Sequence, residues 1–136
     1  MRFDTKIAIV VAEDLAAWQK LNVTAFLASA VAGGVQGLIG ERYEDGTGQT
    51  YLPMFCQPVL IYAADAQALR RVRSLATDRG MDVAVYIEEM FKTDHDDANR
   101  ATVLAVTAEE MPLVGLAVHG PKNAVDKVLK GLRLHP

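Results

Sequence analysis

The stretch LNVTAFLASAVAGGVQGLIG, residues 21–40, holds no charged side chain: after Lys20 the next charge is Glu41. A run this long without charge fits either a membrane span or a helix covered on most of its sides. Asn22, Thr24, Ser29, Gln36 and four glycines dilute it, and Gly33-Gly34 reads as a helix stop, so a buried scaffold helix is expected and a membrane span is not. Asp14 offers the N-cap, and the helix is expected to run to about Ala32. Val23, Phe26, Leu27, Ala30 and Val31 recur at helical spacing and mark a core side. Ala25, Ala28, Ser29 and Ala32 are small and permit close packing against a sheet or a partner.

The flanking segments set the fold class. KIAIVVA (6–12) is a continuous β-branched apolar run, the pattern of a strand covered on both faces. PVLIYAAD (58–65), MDVAVYIEE (81–89) and LVGLAVHG (113–120) predict three more strands. Between them lie a hairpin over 41–53, turned at Asp45-Gly46 and Gly48, and a helix from Ala66 to Arg79 closed by Gly80. A short helix over 96–103 is expected to be capped by Thr93 or Asp94, and a last helix to be opened by Pro121 and to run to Lys130. Alternating strands and helices predict one α/β domain, residues 1–136, with a mixed, mostly parallel sheet of about four core strands and a small hairpin. The third and fourth strands lack a long crossover helix, so one strand is expected to be antiparallel.

Bulk composition narrows the partners. A net charge of −3 argues against a broad nucleic-acid surface, so nucleic acid is an unexpected though not excluded partner. The arginines at 70, 71, 73 and 79 and the basic residues near the C-terminus read as solvated helix faces. A lone Cys56 and the absence of a leader-like apolar stretch at the N-terminus suit a reducing, cytoplasmic setting. GTGQ (46–49) sits in a turn with no helix after it and is not a phosphate loop. TDHDDANR (93–100) clusters His95 with carboxylates, but neighbouring side chains diverge and acidic residues suit a first helical turn; no metal and no cofactor is expected. His119 and His135 have no partner visible in sequence.

KIAIVVAEDL (6–15), NVTAFLASAVAG (22–33), RGMDVAVYIEE (79–89) and HGPKNAVDKVLKGLRL (119–134) resemble segments of the type II peptidyl-tRNA hydrolases, and more closely an uncharacterised bacterial family of unknown function related to them. The resemblance implies a three-layer α/β/α domain. In those hydrolases the first helix carries a lysine, a glutamine and a histidine on one face, at i, i+4 and i+7, converging on one ester. This chain has Asn22, Phe26 and Ser29 there, and Glu88 where a strand-end aspartate is expected.

Two functional classes follow. In the first, the domain binds a small ligand, an anion being one candidate, or a protein, in a pocket where the catalytic groups have been exchanged. Asn22, Thr24, Ser29, His95 and Asn99 are the candidate ligand-binding residues, and Trp18, Tyr43, Tyr51, Met54 and Phe55 the candidate walls. In the second, it is a diverged hydrolase of esters using Lys20 and Glu88 as catalytic residues. The small-residue helix and apolar strands also suggest a homodimer.

Overall fold

The computed structural model describes residues 2–136. Five strands form one sheet in the order β5-β6-β1-β4-β7. They are β1 (Thr5–Ala12), β4 (Val59–Ala64), β5 (Asp82–Ile87), β6 (Leu113–Pro121) and the two-residue β7 (Arg133–Leu134); β2 (Tyr43–Glu44) and β3 (Thr50–Tyr51) make a separate hairpin. The helices are α1 (Ala17–Gly34), α2 (Ala66–Asp78), α3 (Asp96–Leu104) and α4 (Lys122–Val128), with a 3-10 turn over Glu88–Lys92.

The continuous apolar runs lie in the centre of the sheet. Ile7 to Ala12 of β1 and Leu113 to Gly120 of β6 are buried throughout, because helices cover both faces. Val11 of β1 pairs with Gly115 of β6, and Gly115 faces Val23 and Leu27 of α1. Lys6, of the opposite alternation on β1, hydrogen-bonds Asp126 of α4, which packs against α2. So α1 takes one face, α2 and α4 the other. Burial alone would work against the Lys6 ammonium; side-chain hydrogen bonds to Asp126 and Tyr62 outweigh it, and its pKa is raised.

Only β1 and β4 pair in parallel; the β1–β6, β5–β6 and β4–β7 pairings are antiparallel. The expectation of a mostly parallel sheet is corrected here. One core strand, β6, does run against the other three, but it inserts between β5 and β1 and so makes two pairings antiparallel. Among the described residues no helix is long and apolar enough to cross a membrane.

Several boundaries move for local reasons. Asp14 lies in the turn before α1; Ala16 is the cap residue, and its N–H is taken by the Gln19 side chain. The helix continues through Gly33-Gly34 and ends at Val35. α2 opens on Asp65, whose carboxylate accepts the Ala68 N–H, and closes before Gly80 at φ 70°. Pro121 precedes α4 instead of entering it, and α4 stops at Val128. In the hairpin, Asp45 accepts bonds from the Thr47 hydroxyl, the Tyr51 hydroxyl and the Thr47 and Gln49 N–H groups, which hold its carboxyl well below the usual range.

α1 lies on β6 at a distance set by Gly115. A Cβ there would stand 2.5 Å from Val23 Cγ1 and 3.1 Å from Leu27 Cδ1, both on a well-buried helix face. Gly115→Ala is expected to cost about 1–3 kcal/mol by overpacking, read as a lower urea midpoint. Gly120→Ala, whose Cβ meets only the flexible Met81 side chain, should cost less. Equal midpoints for the two variants would contradict this packing.

Candidate functional site

Burying Val23, Leu27 and Val31 under β6 leaves the remaining sides of α1 outside. Along its β5 flank, α1 meets the end of β5, the 3-10 turn and α3. Two adjoining cavities of about 430 and 630 Å3 open there, sharing Phe26, Tyr86, Met90, Asp96 and Asn99, so they form one groove. These volumes match those of small-molecule sites.

An aromatic ladder lines the groove. Trp18 meets Phe91 edge-on with centroids 5.8 Å apart, Phe91 meets Tyr86 at 5.2 Å, and Tyr86 meets Phe26 at 5.9 Å. Each contact lies in the range where ring quadrupoles attract. Burial raises the Tyr86 phenol pKa, and its hydroxyl lies 3.5 Å from Asn22 Oδ1. Thr93 Oγ1 contacts both Asn99 Oδ1 and the Met90 carbonyl, the latter at 2.9 Å, and its single proton serves one of them at a time. His95 caps α3: its Nδ1 accepts the Ala98 N–H at 3.1 Å, which requires the ring proton on Nε2. The cap expected at Thr93 or Asp94 is therefore at His95, whose extended backbone places the ring over the first turn.

The charge in the groove is acidic. Asp94 and Asp96 line it, and Arg100 is spent on Asp96 and Asp97, pairs that raise its own pKa. That balance does not favour an anion. Among the described residues no group of three or more His, Cys, Asp or Glu side chains is placed to hold a metal ion.

Asn22, Ser29, His95 and Asn99 thus line the groove, from two chain segments far apart in sequence. Thr24 does not: its hydroxyl donates to the Lys20 carbonyl at 2.7 Å, within the helix. Tyr43, Tyr51, Met54 and Phe55 belong to the hairpin region and do not line the groove; Trp18 finds Phe91 in their place. The missed walls are Phe91 and Tyr86, whose sequence signal was only an aromatic at a strand end and another four residues into the next turn.

Lys20 and Glu88 stand apart. Lys20 Nζ lies 3.2 Å from His135 Nε2, and the His135 N–H bonds the Ile61 carbonyl, continuing the β7 edge. The His135 Nδ1 contacts the Pro136 carbonyl at 3.0 Å, so Lys20, His135 and Pro136 form a chain in which Nε2 accepts and Nδ1 donates. Glu88 is exposed just beyond β5, the opposite edge of the sheet. The Lys20 ammonium is thus turned toward the end of the chain beside β7, and Glu88 follows β5, so the two groups serve different flanks of α1. The other unassigned histidine, His119, is buried with Nδ1 3.0 Å from Asp82 Oδ2, and its Nε2 has no hydrogen-bond partner among the described residues.

With this geometry in hand, the model of a family described as a protein of unknown function, DUF2000, matches residues 5–136. The chain belongs to the DUF2000 family. A solved protein of unknown function from Agrobacterium tumefaciens strain C58 is 44% identical to this DUF2000 protein, with a TM-score of 0.96 over 99% of this chain and 100% of that one. No curated protein matches. Both matches are described only as of unknown function, so the hydrolase resemblance rests on the sequence segments alone.

His95→Ala is expected to loosen the start of α3 by on the order of 1 kcal/mol, seen as faster amide exchange at Ala98, while His95→Asp restores the cap. Unchanged exchange in the alanine variant would remove His95 from this role.

Proposed function

We propose that this DUF2000 protein is a binding domain for a ring-bearing small molecule that is neutral or positively charged, and that it does not hydrolyse esters. The observation that carries the proposal is the ladder Trp18–Phe91–Tyr86–Phe26 set beside Asp94 and Asp96 in one groove. Ring faces attract flat groups and cations, and the Asp94 carboxylate, which Arg100 does not take, adds to the attraction for a cation. Asn22, Asn99 and the Tyr86 hydroxyl supply the few polar contacts that would orient a ring. Ser29 lines the outer part of the groove but bonds the Phe26 carbonyl at 2.6 Å, so it is a wall and not a nucleophile.

The hydrolase alternative asks Lys20 and Glu88 to converge, whereas the Lys20 ammonium is engaged with His135 beside β7 and Glu88 follows β5 at the other edge. The resemblance to type II peptidyl-tRNA hydrolases then amounts to a shared framework with other groups on the helix.

Trp18 is the chain's single tryptophan, so its emission reports the groove directly. Phenethylamine and phenylacetate share a ring and differ in charge sign. Titration of Trp18 emission should show the amine binding at least about fivefold more tightly, ~1 kcal/mol, with Phe91→Ala weakening it. Equal response to both, or none to either, would overturn the proposal.

A further inference from the structure

The connections of the sheet part where β1 and β4 end. β4 pairs in parallel with β1, and β5 runs the same way, since β1 and β5 both run against β6. The step from β1 to β4 moves one way across the sheet, and the step from β4 to β5 moves back over β1 and β6. Right-handed crossovers in opposite directions put α1 and α2 on opposite faces. The chain therefore leaves the paired ends Ala12 and Ala64 toward opposite faces, and a crevice opens between the two departures. Ligands of open α/β sheets settle outside the strand ends at such a point. A cavity of about 600 Å3 lies there. Glu13 enters its wall from the end of β1, and Asp65 and Arg71 from the start of α2. Gly131, at φ 90°, turns the chain out of α4 so that Arg133 of β7 lines it too.

The charges in the crevice are sorted. The Glu13 N–H bonds the Ala64 carbonyl at 3.0 Å, which ties the two strand ends together, and the Asp65 carboxylate is taken by the Ala68 N–H. The ion pairs among the described residues use Lys6, Arg100, His95 and His119, so the Arg71 and Arg133 guanidiniums and the Glu13 carboxylate are in none. Arg70, beside Arg71 on the same helix, lies outside the cavity. Two guanidiniums present two planar forks. A carboxylate, with two oxygens and one charge, fills one fork. A phosphate monoester offers three terminal oxygens and about two negative charges near pH 7, and fills both. Glu13, two strands in from Arg133, accepts hydrogen bonds and so selects a donor such as a hydroxyl. We infer that this crevice is a second binding site, for a small phosphate monoester that bears hydroxyl groups, its phosphate on Arg71 and Arg133 and a hydroxyl on Glu13. The site shares no residue with the aromatic groove and does not depend on the role proposed there.

Ribose 5-phosphate, ribose and inorganic phosphate separate the two contacts. Calorimetric titration of the whole chain is expected to show ribose 5-phosphate binding at least about fivefold more tightly than inorganic phosphate, and ribose alone not binding. Arg71→Ala and Arg133→Ala, both at exposed positions and so with unchanged circular dichroism, should each weaken ribose 5-phosphate about tenfold or more. Arg70→Ala should change it by less than about twofold, as a solvated charge outside the cavity does. Glu13→Ala should remove the advantage of ribose 5-phosphate over inorganic phosphate. Amide shifts on titration should centre on Glu13, Asp65 and Gly131. No binding of either phosphate, equal affinity for the two, equal losses in Arg70→Ala and Arg71→Ala, or shifts centred elsewhere would overturn the inference.

Discussion

Everything on the groove side of the molecule depends on how closely α1 approaches β6, and Gly115 sets that approach. Val23 and Leu27 occupy the space a side chain at 115 would need. Seating them there fixes the rotation of α1 about its axis. Once Val23, Leu27 and Val31 point inward, Trp18, Asn22, Phe26 and Ser29 are turned outward, toward β5 and α3 or toward solvent. One close contact in the core thus decides which residues of a nearly uncharged helix can meet a ligand.

The same rotation divides the polar groups of the helix. Lys20 faces the β4–β7 side and finds His135; Asn22, two residues on, faces Tyr86 on the β5 side. Successive helical positions are 100° apart, so neighbours in sequence serve different flanks. The β5 flank gathers rings and carboxylates, the arrangement on which the proposed ring-binding role rests. The β7 flank gathers an ammonium and an imidazole, while Glu88 follows β5 on the other flank.

Much of this frame was legible in the sequence where the determinants are local. The runs 6–12 and 113–120 read as buried strands because both faces are covered, and Asp65 and Gly80 bracket α2 by cap chemistry. Four of the five ligand-site candidates reach the groove because helical spacing and a short capped helix are local patterns. Strand order was not legible. The insertion of β6 between β5 and β1 is decided by which strands pair across long separations, and that reversed the balance of parallel and antiparallel neighbours. The Trp18–Phe91 contact and the Lys20–His135 pair join residues far apart in the chain, so no spacing rule could reveal them. The two-residue β7 is too short to carry a period.

The central claim is that this framework holds a ring where a hydrolase would hold converging catalytic groups. A peptidyl-tRNA cleavage assay on the intact wild-type chain, run beside Lys20→Ala, tests it most directly. The account predicts that both release peptide only at the buffer rate. Turnover well above that rate in wild type, lost in Lys20→Ala, would contradict it.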